Sequence, residues 1–494
     1  MKFRCLTPVC LLSLCLSASL WLLCACSGSG NQGMLRPAAS APLPAGNINL
    51  IFVVSPDLEY QATGDVQPDT ANLTPQGLQR SLLMAPFLQQ DVLGNNNVTA
   101  IYALEPMTHL QTVNGYPDMA GLETIQQFDM LNQITTTSGG PGTVSTPGQN
   151  FPINVSYAPG SVPVGVAAPP LQYPCPTCQG LDFNDMDGDN ETLLTGIVNA
   201  DVPGYYVFSA PWEATSAMLK KLNNSRRYGL NIPSDYQGPN LIYAISIAPS
   251  GSATLATYNS NVTPTAAYPV LPSAPLVPSP CQATPFSIPA NGAPLTGAPA
   301  NTNTNETVYF IRHANAHPSA TFSDGNYVAA GQWRTLDLVN ALRGKVNPSH
   351  VYSMDPAQVT SGSVSASGQS EWSHNTLAMT PQPYVIANNL PFTLVSGFLL
   401  TDANGPQETS TFFFQNGEFT GQTILVAWEH SNIPMIVQQL LASYGSTAPV
   451  PGWGSADYDS IWTVKLDATG NLTVNNSLCE GIDSTLLPKV APQF

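Results

Sequence analysis

The run Val308-Tyr309-Phe310-Ile311-Arg312-His313 decides how this chain is expected to fold. Its four apolar residues, β-branched or aromatic, predict a short buried strand. That strand ends in a guanidinium group and an imidazole group side by side. Open α/β sheets bind ligands at the carboxyl ends of their strands, so this pair stands where a ligand site is expected.

A second apolar run of the same kind follows later in the chain. Ile424-Leu425-Val426-Ala427-Trp428 leads into Glu429-His430, and helical sequence follows from Pro434 to Leu440. Two histidines therefore stand at strand ends, each before a loop and a helix. This arrangement resembles the active site of the histidine phosphatase (phosphoglycerate mutase-like) superfamily.

The resemblance implies a role for each residue of this group. His313 would be the nucleophile that forms a phosphohistidine, Arg312 would clamp phosphate oxygens, and His430 would be a second phosphate-binding imidazole. Arginine suits this role because its planar fork donates two parallel hydrogen bonds. Asn315 and His317 would also bind the substrate, a small phosphorylated molecule. We expect no metal and no cofactor.

Several family features are absent from the sequence. Ala314 replaces the glycine of the family's Arg-His-Gly motif, and Ala316 replaces a second arginine of the acid-phosphatase branch. Only six lysine and arginine residues follow Asn305, and the pocket is expected to contain a single arginine. Replacement donors would come from His317, His374, Asn315 or Asn432. Candidates for the acid that protonates the leaving group are Asp324, Asp355, Glu371 and Glu429.

The first half of the chain repeats the predicted order of strands and helices. Gly77-Leu-Gln-Arg80 parallels Gly331-Gln-Trp-Arg334, and Tyr102-Ala-Leu-Glu-Pro106 parallels Tyr352-Ser-Met-Asp-Pro356. Strands that alternate with helices indicate parallel βαβ units. We therefore predict an α/β fold of two tandem three-layer α/β/α histidine-phosphatase-like domains with mostly parallel sheets.

The first of these domains is expected to be degenerate. Val54-Ser55 stands at the position of Arg312-His313, and Trp212 stands at the position of His430. The predicted segments are a signal peptide (1–25), a tether (26–46), the degenerate domain with an insertion at 135–180 (47–262), a Pro/Ala/Asn-rich linker (263–305) and the domain with the candidate site (306–494).

The amino terminus predicts export and lipid attachment. A short basic start precedes an apolar run from Leu11 to Leu23, too short for a membrane span, which needs ~20 residues. Leu23-Cys24-Ala25-Cys26 resembles a bacterial lipobox, so Cys26 would be lipidated. The alternative is ordinary cleavage nearby with Cys26 unmodified. Ser27 after Cys26 indicates an outer-membrane lipoprotein of the bacterial envelope, facing the periplasm.

Cysteine usage and charge restrict the compartment and the partners. Outside the signal peptide and Cys26, the cysteines are Cys175, Cys178, Cys281 and Cys479. An even number in an oxidising compartment predicts two disulfides, and of three pairings we favour Cys175–Cys178 with Cys281–Cys479. A redox or metal role for Cys175 and Cys178 is the alternative. The net charge of −17 argues against nucleic acid as a partner.

These observations support two functions. The first is an exported, lipid-anchored phosphomonoesterase whose site lies on the second domain. The second is a catalytically inactive lipoprotein of the same fold that binds a ligand or partner. A mutase is disfavoured because an exported protein lacks the supply of glycolytic substrates.

Overall fold

The structure is a computed structural model that describes residues 41–61, 64–137, 145–157, 167, 175–185, 188–272, 279–289, 295, 297–315, 324–361, 369–398 and 402–494, with backbone alone at 133–150. The predicted signal peptide, Cys26 and His317 lie outside these residues. None of the helices in the described ranges is long and apolar enough to cross a membrane. Residues 38–494 form one compact unit, and the predicted domain boundaries stay predictions.

The first large sheet has a parallel centre and an antiparallel edge. Its strands are β1 (Ile48–Val54), β2 (Ala100–Ala103), β3 (Ile153–Asn154), β4 (Gly204–Ala210), β5 (Leu241–Ile247) and β6 (Ala253–Asn259). The spatial order is β6-β5-β1-β4-β2-β3. The neighbours β1 and β4, β4 and β2, and β2 and β3 pair in parallel. Strand β5 pairs antiparallel with both β1 and β6.

The second large sheet has the same order with one extra edge strand. Its strands are β7 (Ser287–Ile288), β8 (Glu306–Arg312), β9 (His350–Met354), β10 (Phe392–Val395), β11 (Thr423–Trp428), β12 (Ser460–Leu466) and β13 (Leu472–Cys479). The order is β7-β13-β12-β8-β11-β9-β10. Strands β8, β11, β9 and β10 again form a parallel centre. The predicted α/β class with parallel-rich sheets is confirmed.

Helices cover both faces of each sheet. They are α1 (Pro75–Phe87), α2 (Ala120–Leu131), α3 (Asp189–Ala200), α4 (Trp212–Arg226), α5 (Ala329–Ala341), α6 (Asn375–Met379), α7 (Gln382–Asn388), α8 (Gly405–Phe414) and α9 (Asn432–Ser443). Buried residues of α3 and α4 pack on one face of the first sheet, and those of α8 and α9 on one face of the second. The remaining helices join the inner faces of both sheets in one shared core.

Short elements and disulfides complete the structure. The minor strands pair as Leu110–Gln111 with Tyr116–Pro117, Gln133–Thr137 with Ser145–Asn150, and Val359–Ser361 with Glu371–Ser373; a π-helix spans Leu88–Val92, and 3-10 turns span Pro106–Thr108, Pro176–Cys178 and Ser484–Leu486. The disulfides Cys175–Cys178 and Cys281–Cys479 confirm the favoured pairing. Cys281 and β7 tie part of the predicted linker to the second sheet.

Candidate active site

Two neighbouring parallel strands bring the predicted histidines to one edge of the second sheet. Arg312, the last residue of β8, pairs with Trp428, the last residue of β11. The His313 N–H continues this ladder and donates to the Trp428 carbonyl at 3.1 Å. His430 follows two residues after Trp428, and its ring centre lies 5.9 Å from that of His313.

His313 is held in one orientation and is 5% exposed. Its Nδ1 lies 2.7 Å from the Ala314 carbonyl oxygen. Because a carbonyl oxygen only accepts, Nδ1 carries a hydrogen and donates it. The other ring nitrogen, Nε2, lies 3.0 Å from Glu429 Oε2. Nε2 is therefore the atom that His313 offers to a reaction partner.

Glu429 lies between the two imidazoles. Its Oε2 contacts His313, and its Oε1 contacts His430 Nδ1. Burial alone would raise the pKa of Glu429, but the charges and hydrogen bonds of His313 and His430 outweigh burial and hold that pKa well below its usual range. Glu429 is thus a carboxylate in this arrangement, and it occupies the space directly in front of His313 Nε2.

Most hydrogen-bond donors of Arg312 bind acceptors of the protein itself. Its Nη1 donates to the carbonyls of Ser455 at 2.7 Å and Asp457 at 3.2 Å, and Nη2 donates to the Tyr458 hydroxyl at 3.2 Å. The guanidinium also stacks 3.8 Å above the Tyr458 ring. Burial lowers the pKa of Arg312. Its buried Nε has no hydrogen-bond partner among the described residues.

A second arginine positions the strand end from behind. Arg334 on α5 is fully buried, and its Nε donates to Glu480 Oε2 at 2.7 Å. The same guanidinium donates to the backbone carbonyls of His313 at 3.1 Å and Arg312 at 3.0 Å. Arg334 therefore holds the turn that carries both predicted residues. The sequence indicated no role for Arg334 beyond its place in the repeated segment Gly331-Gln-Trp-Arg334.

Ala314 and Asn315, the two residues after His313, are held by hydrogen bonds and close packing. The Ala314 N–H donates to Thr380 Oγ1 at 2.7 Å, and the Asn315 carbonyl accepts from Val328 N–H at 2.8 Å. A Cβ atom on Gly331 would lie 2.9 Å from the Asn315 carbonyl oxygen, so only glycine allows the approach of α5 without displacement. These two residues and α5 therefore support the backbone that carries the imidazole.

The other predicted binding residues are distributed unevenly around the site. His374 contributes a third imidazole, with its ring centre 6.3 Å from that of His313. The Asn315 side chain is buried, and its Oδ1 lacks a partner within the described part of the chain. Asn432 opens α9, and its N–H donates to the Glu429 carbonyl.

Of the four candidate proton donors, Glu429 contacts both His313 and His430. Asp324 is buried, which raises its pKa to about 7, and it accepts from Asn326 N–H. Asp355 is buried, which raises its pKa to about 6, and it accepts from the Ala357 N–H at 2.8 Å. Glu371 is exposed on a minor strand. Glu429 is therefore the carboxyl group placed to exchange a proton with His313.

The first sheet has a different edge at the matching position. Val54 pairs with Ala210, and the Ser55 N–H donates to the Ala210 carbonyl at 3.0 Å, as His313 does to Trp428. Trp212 then stands where His430 stands and is buried in the core. Burial raises the pKa of two nearby carboxyl groups, Asp57 and Glu213. An edge of this composition disfavours phosphate.

Comparison with known proteins gives little further information. No protein-family model matches the sequence, and no curated protein matches it. One solved structure that resembles part of the chain is that of a protein from Agrobacterium tumefaciens described as the phosphohistidine phosphatase SixA. The match has 15% identity and covers 32% of this chain and 90% of that protein. Its TM-score is 0.18.

Proposed function

We propose that the protein is a phosphomonoesterase that acts through a phosphohistidine at His313, as the resemblance to histidine phosphatases implies. The observation that carries this proposal is the pair of imidazoles at one sheet edge, with ring centres 5.9 Å apart. Nδ1 of His313 donates to a carbonyl, which leaves the Nε2 lone pair for attack. The substrate class is a small phosphorylated molecule.

The reaction requires Glu429 to move. Substrate binding would displace the carboxylate from His313 Nε2, and Glu429 would leave with the proton that the imidazole gives up. Neutral Nε2 then attacks phosphorus while the bond to the leaving oxygen breaks, and Glu429 gives that oxygen its proton. Water next attacks the phosphohistidine, the N–P bond breaks, and orthophosphate leaves. His430 and the Arg312 Nε–H would stabilise charge on the phosphoryl oxygens.

The experiment is release of p-nitrophenol from p-nitrophenyl phosphate by the purified protein and by His313→Ala. We expect measurable turnover that His313→Ala abolishes. His109→Gln is the matched control, because His109 also pairs with a carboxylate, Asp118 at 2.9 Å, but lies in the first half. Equal rates for the protein and His313→Ala would refute the proposal. Trapping of an acid-labile phosphoryl group on His313 would support the intermediate directly.

The alternative is a catalytically inactive protein of this fold that binds a ligand or partner. Two observations favour it. Glu429 stands in front of the nucleophilic nitrogen, and Arg312 donates chiefly to backbone carbonyls such as that of Ser455. On this alternative, phosphate-containing molecules are not turned over by the protein or any variant. The assay above decides between the two functions.

We also propose that the protein is a lipoprotein of the bacterial envelope, anchored through Cys26 in the outer membrane and facing the periplasm. The support is the amino-terminal sequence, together with two disulfides, which persist in oxidising compartments. Mass spectrometry of the protein recovered from membranes tests this. A mature chain that begins at an acylated Cys26 is expected, and an unmodified Cys26 would contradict the anchor.

A further inference from the structure

Two imidazole nitrogens and one carboxylate converge on a single point at the edge of the second sheet. The ligand atoms of His313, Glu429 and His430 all lie within 4.8 Å of one another. Because His313 Nδ1 donates to Ala314, Nε2 directs its second bonding position at Glu429 Oε2 across 3.0 Å. Two electron-rich atoms face each other at this distance only when a positive charge lies between them, as a proton or as a metal ion.

The donor set is one that late first-row divalent metals prefer. Two imidazoles with one carboxylate form a known catalytic zinc ligand set, with a further position open to water. Such imidazoles normally donate their other N–H to a carbonyl or carboxylate. His313 meets this requirement through Ala314, and Arg334 holds the His313 carbonyl at 3.1 Å. The outer-shell hydrogen bond that a metal-binding His313 requires is thus already formed.

The site is open to solvent on one side, and no lysine or arginine of the described residues forms an ion pair with Glu429. The side chains of His430 and Glu429 are 22% and 16% exposed, whereas that of His313 is 6% exposed. The nearby Arg312 directs its donors to the carbonyls of Ser455 and Asp457 and to Tyr458, not to Glu429. Glu429 Oε1 also accepts from the Ser431 N–H at 3.3 Å, whereas the contact of Oε2 is with His313.

We propose that His313 Nε2, the Glu429 carboxylate and His430 Nδ1 bind one zinc ion. This site differs from the expectation of no metal that the sequence supported. A zinc ion there would occupy the lone pair that attacks phosphorus, and it would inhibit the phosphatase reaction proposed above. Binding itself does not depend on that reaction.

Zinc binding is measured by titrating metal-free protein with Zn²⁺ in competition with a chromophoric chelator. Visible absorption after Co²⁺ addition reports coordination by nitrogen and oxygen. We expect one ion per chain, and at least ~10-fold weaker binding for Glu429→Gln and for His430→Asn, since even outer-shell changes cost 10–100-fold. Glu429→Gln keeps the shape of the side chain, so a folding defect is not expected to mask its effect. His109→Gln should bind as the unmodified protein does.

Absence of binding, or equal binding by all four proteins, would overturn the zinc site. The two proposals fail separately. Zinc binding without p-nitrophenyl phosphate hydrolysis by the metal-free protein would retain the site and remove the phosphatase. Hydrolysis that Zn²⁺ does not inhibit, together with no binding in the titration, would retain the phosphatase and remove the zinc site.

Discussion

Glu105 and Asp355, which follow the matching strands β2 and β9 of the two sheets, are two buried carboxyl groups that interact electrostatically. Both side chains are at most 1% exposed. Burial disfavours the charged form of a carboxyl group, and a second negative charge close by disfavours it further. Burial raises the pKa of Glu105 well above its usual range and that of Asp355 to about 6. The two halves of the molecule therefore bring together two carboxyl groups that hold protons more tightly than exposed carboxyl groups do.

Glu105→Gln is expected to reduce the loss of stability that accompanies a rise in pH. The native pair holds its proton more tightly than the unfolded chain does, so its contribution is complete below about pH 4 and is lost as pH rises through the raised pKa values. The substitution leaves one ionisable carboxyl group where the unmodified protein has two, so less of the stability depends on pH. Between pH 5 and pH 8, the free energy of unfolding should decrease by about 2 kcal/mol more in the unmodified protein than in the variant. Urea denaturation at each pH measures both decreases.

The matched control for this prediction is Glu418→Gln, because the Glu418 side chain is exposed. Its pH profile should coincide with that of the unmodified protein. A Glu105→Gln profile that also coincides with it would show that the pair holds no proton in the native state.

Arg334→Met should destabilise the protein strongly. The substitution leaves Glu480 buried without its cation and removes two donors from the Arg312 and His313 carbonyls. Removing one partner of a buried ion pair costs about 3–5 kcal/mol, which urea denaturation would measure. The double variant Arg334→Met, Glu480→Met should recover part of this loss, because no uncompensated charge remains. Arg343→Met, on an exposed arginine close by, should change stability little.

Glu429→Gln tests the role of the proposed proton carrier through the leaving group. An alkyl phosphate needs a proton on its departing oxygen, whereas p-nitrophenolate leaves readily without one. We expect kcat/KM to fall by about 10²–10⁴-fold on an alkyl phosphate and far less on p-nitrophenyl phosphate. Equal losses on both substrates would indicate that Glu429 positions the histidines and does not supply a proton.

The sequence predicted the strands that carry the site because their signal is local. Apolar runs before His313 and His430 matched β8 and β11. Helix α2 was not predicted, although Leu122, Ile125 and Phe128 have a helical spacing; its polar residues are buried, and no sequence pattern reports that. The roles of Arg334 and Glu429 depend on contacts with residues far along the chain or across two strands. No spacing rule in a single sequence reports such contacts.

Trp212 provides the last test, because it stands where His430 stands but belongs to the core of the first half. It is 3% exposed and packs against the Tyr243 ring with centres 5.5 Å apart. Trp212→Ala should lower the free energy of unfolding by about 3–5 kcal/mol, through lost burial and a cavity. If the first half has only a structural role, the rate of p-nitrophenyl phosphate hydrolysis per folded molecule should not change. A variant of unchanged stability with reduced hydrolysis would instead place the first half in the reaction.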